Sequence, residues 1–199
     1  VKRVFAIVRA IINLSIQEYG LNCKNAFART YIPDLEDSIK RQPIPIDIIR
    51  DIQKECMKID DPNRWLIALI SDTGMRLSEA LGLKVSDIKL NEKIPYLNIT
   101  PNSARRLKTK SSQRQIPLVG SSLWAAEQIH LNVKGEFAFP HYTVKDYCYT
   151  NSASAALNKW LKTKVQNFVI HSFRHSIRDR LRSVNCPTEM IDQIGGWAF

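Results

Sequence analysis

Three residues that can handle a phosphate group recur at helical spacing near the end of the sequence. His171, Arg174 and Arg178 are three and four positions apart, so their side chains would be neighbours on one face of an α-helix. A guanidinium is a planar fork of donors that suits phosphate oxygens, and an imidazole can exchange a proton near neutral pH. The opposite face carries an apolar stripe of Phe173, Ile177, Leu181 and Val184. The pattern indicates phosphate chemistry mounted on a half-buried helix, and a solvated basic helix face is the simpler alternative.

A second pair of charged residues follows a glycine turn. Arg76 and Glu79 come shortly after Gly74 and are three positions apart, so they are predicted to share the exposed side of a short helix whose other side is apolar. Arg76 is therefore either a phosphate ligand or the ion-pair partner of Glu79. Both roles are compatible if the carboxylate orients the guanidinium.

Between these two segments lies a stretch rich in cations, which is typical of a polar hairpin that leads into a short strand. Its cations are Arg105, Arg106, Lys108, Lys110 and Arg114. Side chains of this kind bind the phosphates of nucleic acid without reading its sequence.

Together the three segments resemble the tyrosine recombinases, and the phage-type integrases in particular. The three matching motifs are TGMRLSEALGL at 73–83, LKTKSSQRQIPL at 107–118, and HSFRH at 171–175 taken together with the downstream GGW at 195–197. They follow one another in the order that the family uses, and the likeness spans about residues 43–199. Each motif is weak alone, and the three in order make a strong signal.

The resemblance implies a catalytic site that needs no metal and no other cofactor. It assigns catalytic roles to Arg76, Lys108, His171, Arg174 and Trp197, with Glu79 in support. The two arginines would hold the non-bridging oxygens of a DNA phosphate, and Lys108 would protonate the leaving 5′ oxygen. Lys108 is preferred to Lys110 because hairpins of the family read Lys-Thr-x-x-Ser. His175 is interpreted as a buried structural histidine, and Trp197 is as compatible with a core position as with a catalytic one.

The resemblance also implies integration of a mobile element, by cleavage and rejoining of DNA through a 3′-phosphotyrosine. The nucleophilic tyrosine of the family follows the position of Trp197, whereas all six tyrosines of this sequence precede His171. We therefore expect the 199-residue chain to be inactive without a downstream tyrosine, supplied in cis or by a neighbouring protomer. A type IB topoisomerase-like enzyme and a DNA-binding regulator without catalysis are the alternatives.

The composition agrees with a polyanionic partner. The chain carries 29 Lys and Arg against 19 Asp and Glu, a formal net charge of +10. The expected partner is double-stranded DNA, with contacts from Arg105, Arg106, Lys110, Arg114 and Arg178. Other integrase protomers are expected to join in a tetrameric synapse, and no membrane is expected to be involved. Four scattered cysteines without zinc spacing indicate reduced thiols in a cytoplasmic protein.

Hydrophobic periodicity predicts a mainly helical α+β fold with a small three-stranded antiparallel sheet, which is the catalytic fold of the family. Helices are predicted over 1–19, 46–59, from 62, and over 121–131, 150–162, 171–184 and 187–196, with a short helix after the glycine turn within 72–81. Strands are predicted over 88–90, 96–100 and 115–118. Residues 1–42 form a helix and linker, either a remnant of an upstream core-binding domain or a helix that packs on the main domain. Residues 43–199 form the catalytic domain.

Overall fold

The computed structural model describes residues 2–33, 43–107 and 109–197, apart from the side chain of Lys110. The chain divides into two compact units, one within residues 1–40 and the other within residues 41–199. The predicted domain boundary at residue 42 falls outside the described residues, so the assignment of the two domains stays a prediction.

The first unit is helix α1 (Lys2–Glu18) with a loop that returns along it. Arg9 holds the loop, because its Nε donates to the carbonyl of Phe27 at 2.6 Å and its Nη2 to that of Thr30 at 2.8 Å. Helix α1 buries none of its residues, and Val4 and Ile11 are 62% and 59% exposed.

The second unit is built mainly from helices. They are α2 (Ile46–Ile59), α3 (Pro62–Thr73), α4 (Leu77–Leu81), α5 (Gly120–Asn132), α6 (Thr150–Lys164), α7 (Ser172–Ser183) and α8 (Thr188–Gly195). Short 3-10 turns span Val85–Asp87 and Lys110–Ser112. The strands are β1 (Ile88–Lys89), β2 (Tyr96–Ile99), β3 (Arg114–Pro117), β4 (Thr143–Val144) and β5 (Tyr147–Cys148). Strands β1, β2 and β3 form one antiparallel sheet in that order, so the predicted fold class is confirmed. The small β4–β5 hairpin was not predicted.

Helix α3 is the centre of the core. It begins cleanly because the Asp61 carboxylate accepts a hydrogen bond from the backbone N–H of Arg64 at 2.9 Å, with Pro62 in the first turn. Residues 65–70 are all buried, as their apolar run predicts. The helix ends at Gly74, whose φ of 61° is left-handed, and a Cβ there would collide with Ile177 of α7. This close approach fixes α7 against the end of α3.

A buried carboxylate reinforces that junction. Asp72 accepts hydrogen bonds from the backbone N–H of Ser121 at 2.9 Å and from its hydroxyl at 2.7 Å, which satisfies the start of α5. The same carboxylate accepts from Gln53 at 2.9 Å and from Arg180 at 2.9 Å. Asp72 therefore joins α2, α3, α5 and α7 at the end of the unit where Arg76 follows.

Two side chains in and just after α7 differ from their predicted burial. Val184 was predicted to complete the apolar stripe, and it is exposed after the helix has ended. His175 was predicted to be buried, and it is exposed with its ring 5.5 Å from that of His171. Val184 is exposed because the helix ends before it, and His175 is exposed because it points to the solvent side of the first turn, between the buried Arg174 and Ser176.

The thiols should differ sharply in reactivity. Cys56 lies in the core on α2, where burial raises the pKa of its thiol to about 12, whereas Cys23 is exposed. We expect iodoacetamide at mildly alkaline pH to modify Cys23 readily and to leave Cys56 intact until the protein unfolds, because only the thiolate reacts. Mass spectrometry of digested protein gives the order of labelling. Modification of Cys56 as fast as Cys23 under native conditions would show that the α2 face is not packed as described.

Candidate active site

Arg76 stands in the turn between α3 and α4. Its Nη1 donates to Oε1 of Glu79 at 2.6 Å and to the Ser112 hydroxyl at 3.2 Å. Its backbone N–H donates to Oε2 of Glu79 at 3.0 Å, so the carboxylate both caps the start of α4 and aims the guanidinium. The Arg76 side chain is 24% exposed, which leaves part of the guanidinium facing solvent.

Glu79 was predicted to be exposed. It is buried, with 3% of its side chain accessible. Besides Arg76 it accepts a hydrogen bond from Nη2 of Arg114 at 3.0 Å. Burial raises the pKa of Glu79, but the charge and hydrogen bond of Arg114, together with the donors of Arg76, outweigh it, so the pKa lies below its ordinary value. The carboxylate is therefore ionised at neutral pH and serves two arginines.

Arg174 is also buried, whereas its helical position predicted an exposed side chain. Its Nη1 donates to the carbonyl of Gly74 at 2.9 Å and its Nη2 to the carbonyl of Gly195 at 2.6 Å. These carbonyls belong to the C-terminal ends of α3 and α8, where helix carbonyls lack partners and attract cations. One guanidinium therefore joins two helix ends.

The pKa of Arg174 is lowered by its buried and positively charged surroundings. Burial, followed by the positive charge of Arg76, lowers this pKa to about 10, against a raising contribution from Glu79. Arg174 is still protonated at neutral pH. Arg174 itself binds two carbonyls, and the carboxylate of Glu79 is bound to Arg76 and Arg114. The three guanidiniums thus have one carboxylate among them, which leaves an excess of positive charge. An anion such as a phosphate would relieve that excess.

Trp197 covers this cluster from the end of α8. The Arg174 guanidinium carbon lies 4.4 Å from the centre of the indole ring, and that of Arg178 lies 5.2 Å from it. Gly195 must be a glycine because the ring lies directly against its α-carbon. Arg178 also faces Asp192, with Nη2 3.8 Å from Oδ1. Trp197 thus contacts two of the arginines of α7, Arg174 and Arg178.

The remaining residue of the predicted site is His171, at the start of α7. His171 is the residue that precedes the first turn of α7, and its side chain is exposed. It is one helical turn before Arg174, so both side chains lie on the same edge of α7.

The hairpin lies beside Arg76. Thr109 Oγ1 is 3.0 Å from the Ser112 hydroxyl, which in turn accepts from Arg76. Lys108 and the side chain of Lys110 lie outside the described residues, so the choice between these two lysines stays a prediction. The described neighbour of Lys108 is nevertheless tied to Arg76 through a single serine.

Two arginines that were predicted to contact DNA are interior residues. Arg105 is 1% exposed, with its Nε bonded to the carbonyl of Thr100 at 2.8 Å and its Nη2 paired with Asp87 at 2.9 Å. Arg114 is 6% exposed and engages three acceptors. Both guanidiniums bind acceptors of the protein itself and not solvent at the surface, so the prediction that they are exposed DNA contacts of the hairpin is corrected. Arg106 is exposed and Arg178 is partly exposed, which is compatible with a DNA contact.

Sequence reasoning missed two residues of the site. Ser112 is fully buried and bridges the hairpin to Arg76, and its place in Lys-Thr-x-x-Ser was the available signal. Asp192 supports Arg178, and no sequence signal marked it.

Within the described part of the chain, no group of three or more His, Cys, Asp and Glu side chains is placed to hold a metal ion. No helix among residues 2–33, 43–107 and 109–197 is long and apolar enough to cross a membrane.

Comparison with known proteins identifies the family and the fold of the chain. The model of the phage integrase family matches residues 46–198. The Tn1549 transposon integrase in complex with circular intermediate DNA is 18% identical with a TM-score of 0.70, over 100% of this chain and 71% of that chain. A lambda integrase tetramer bound to a Holliday junction is 16% identical with a TM-score of 0.72, over 100% and 58%. XerA recombinase is 17% identical with a TM-score of 0.62, over 94% and 64%. No curated protein sequence matches the chain.

Proposed function

The chain belongs to the phage integrase family, and from this premise we propose how it carries out site-specific recombination of DNA by strand cleavage and rejoining through a 3′-phosphotyrosine. The observation that carries the proposal is the meeting of Arg76, Arg174 and Trp197 at the ends of α3 and α8. There Arg76 shares the carboxylate of Glu79 with Arg114, and Arg174 binds the carbonyls of Gly74 and Gly195. Such a cluster is prepared for an anion of the size of a phosphate.

The two arginines stabilise the charge that develops on the non-bridging oxygens. Arg76 commits its Nη1 to Glu79 and Ser112, so we assign its Nη2 to one oxygen. Arg174 uses one hydrogen of each Nη on the carbonyls of Gly74 and Gly195, and each nitrogen keeps a second hydrogen for the other oxygen. Because their partners hold both guanidiniums in place beforehand, little reorganisation is needed during the reaction.

Proton transfer is assigned to the hairpin and to the start of α7. Lys108 protonates the leaving 5′ oxygen in this proposal, and the tie from Thr109 through Ser112 to Arg76 supports its placement. His171 donates to the phosphate or handles the proton of the nucleophile. Trp197 closes the site over Arg174. No step is routed through a metal or another cofactor.

The nucleophile is a tyrosine other than those of residues 142–149. The Tyr142 hydroxyl donates to Asn63 at 2.8 Å, near the start of α3, and Asn63 is roughly 16 Å along that helix from Gly74. The rings of Tyr147, in β5, and Tyr149, directly before α6, meet edge to face with centres 5.0 Å apart. The family position follows Trp197, in the same chain or in a neighbouring protomer.

The partners follow from the reaction. We propose that the second unit binds double-stranded DNA as the catalytic domain and that residues 1–42 are the end of a core-binding domain. The apolar face that α1 exposes supports that assignment, since it suits packing against further protein. Full-length protomers would assemble as a tetrameric synapse in the cytoplasm, on DNA.

A recombination assay tests this function against a regulator that only binds DNA. The full-length protein is mixed with two DNA molecules that carry its recombination site, and recombinant products are resolved by gel. Recombinants that disappear in Arg76→Ala support the enzyme. Tight, specific binding without any strand exchange would establish the regulator instead.

Arg105 and Arg106 give a matched pair for the DNA-binding surface. Arg106→Ala should reduce the slope of log Kd against log salt by about 0.9, because one phosphate contact is lost. Arg105→Met should leave that slope unchanged at temperatures well below unfolding, because its guanidinium is buried against Asp87. Titration of duplex DNA at several salt concentrations measures both. An equal loss of slope in the two variants would show that the hairpin rearranges on DNA.

A further inference from the structure

We propose that Arg114 is a positioning residue, which holds Arg76 and the turn that carries Trp197 in register and makes no contact with DNA. This inference rests on the proposed function, because it assigns Arg114 to the same cleavage site. Its sequence position, within a basic hairpin, predicted the opposite role of a phosphate contact.

The contacts of Arg114 lie on three separate segments. Its Nη2 donates to Glu79 of α4 at 3.0 Å, and its Nη1 to the carbonyl of Ser112 in the hairpin at 2.7 Å. Its Nε donates to the carbonyl of Ile194 in α8 at 2.8 Å. The side chain is 2% exposed, so these three partners are reached inside the protein and without water.

Two of these partners also bind Arg76. Glu79 gives Oε2 to Arg114 and Oε1 to Arg76, and Ser112 gives its carbonyl to Arg114 and its hydroxyl to Arg76. A shift of Arg114 would therefore move both groups that aim the Arg76 guanidinium.

The third partner of Arg114, the carbonyl of Ile194, belongs to the segment that carries Trp197. Ile194 comes directly before the Gly195-Gly196 turn, and Gly196 has a φ of 61°. A Cβ on Gly196 would approach Nη1 of Arg114 to 2.8 Å, so the turn packs directly on the guanidinium. Trp197 follows at once and lies on Arg174. One buried guanidinium thus links the Arg76 side to the Trp197 side.

Lysine cannot reproduce this arrangement. The three acceptors are reached by three nitrogens of one planar group, whereas a lysine offers a single nitrogen. Arg114→Lys keeps the positive charge beside Glu79 and loses the geometry, so it separates positioning from charge.

The experiment compares Arg114→Lys with wild type in the full-length protein. It measures adduct formation at saturating nicked recombination-site DNA, the DNA Kd with its salt slope, and the fluorine NMR spectrum of protein labelled with 5-fluorotryptophan. The sequence has four tryptophans, and Trp197→Phe assigns the relevant signal. Arg64→Lys is the control, since Arg64 is a largely buried arginine that pairs with Asp61 and stacks on Trp160.

We expect Arg114→Lys to slow adduct formation at least tenfold, to leave the Kd and its salt slope unchanged, and to move the Trp197 signal alone. Arg64→Lys should lower the unfolding temperature without either effect. A salt slope reduced by about one unit would make Arg114 a phosphate contact. An unchanged rate and an unmoved Trp197 signal would make it a structural residue only. If wild type itself forms no adduct, the proposed function fails, and the Trp197 signal still decides the positioning role.

Discussion

Arg174→Ala is expected to reduce DNA cleavage by about 1000-fold and to destabilise the protein by about 2 to 4 kcal/mol. Loss of a fixed donor at a developing oxyanion costs about 100- to 1000-fold in rate. The same change leaves the carbonyls of Gly74 and Gly195 without their donor, at about 1 to 3 kcal/mol for each buried group. Adduct formation on nicked DNA measures the first effect, and urea unfolding measures the second.

Arg182→Ala is the matched control on the same helix. Arg182 is about half exposed and lies 3.9 Å from Asp179, so its loss should change stability by less than about 0.5 kcal/mol and leave cleavage intact. Arg174→Lys should recover part of the stability without recovering cleavage, since a single ammonium nitrogen cannot reach the carbonyls of both Gly74 and Gly195 and a phosphate at once. Normal unfolding of Arg174→Ala would mean that the buried geometry described for Arg174 is wrong.

Glu79→Gln is expected to destabilise the protein by about 3 to 5 kcal/mol at neutral pH, since it leaves Arg114 buried without a counter-charge. Cleavage should fall by about 100-fold, because the change frees Arg76 to move and small misplacements are costly. The loss of stability is measured by urea unfolding at a series of pH values.

The pH dependence follows from the depressed pKa of Glu79. The folded-state pKa lies below the unfolded value of about 4.3, so the ionised carboxylate stabilises the fold fully above that value. This stabilisation is lost as the pH falls through the folded-state pKa. The difference between wild type and Glu79→Gln should therefore be constant from pH 7 to about 5 and shrink in stronger acid. A difference that grows with acidity would contradict the ion pair.

Much of the fold was predictable because its signals are local. The 46–59 helix has the predicted bounds, and the apolar run of 65–70 is buried because no helix could expose it. The sheet followed from short β-branched stretches and the hairpin cations between them.

The burial of the site residues could not be predicted from local sequence signals. The period of α7 placed Arg174 opposite its apolar stripe, which is correct, but the ends of α3 and α8 converge on that face and bury it. Arg114 sits among cations in sequence, yet its partners come from segments 35 and 80 positions away. Residue type and spacing indicate which groups suit a phosphate, and only the packing of distant helix ends decides which of them can reach it.

The most direct test of the account is trapping of the covalent intermediate. The full-length protein is incubated with recombination-site DNA that carries a nick beside the cleavage position, so that the freed strand diffuses away and the reaction stops. We predict an adduct that survives denaturation, joins the 3′-phosphate of DNA to a tyrosine, and disappears in Arg76→Ala and Arg174→Ala. Peptide mapping should place that tyrosine outside residues 142–149. A denaturant-stable adduct on Tyr142, Tyr147 or Tyr149, or cleavage without any protein–DNA adduct, would contradict the account.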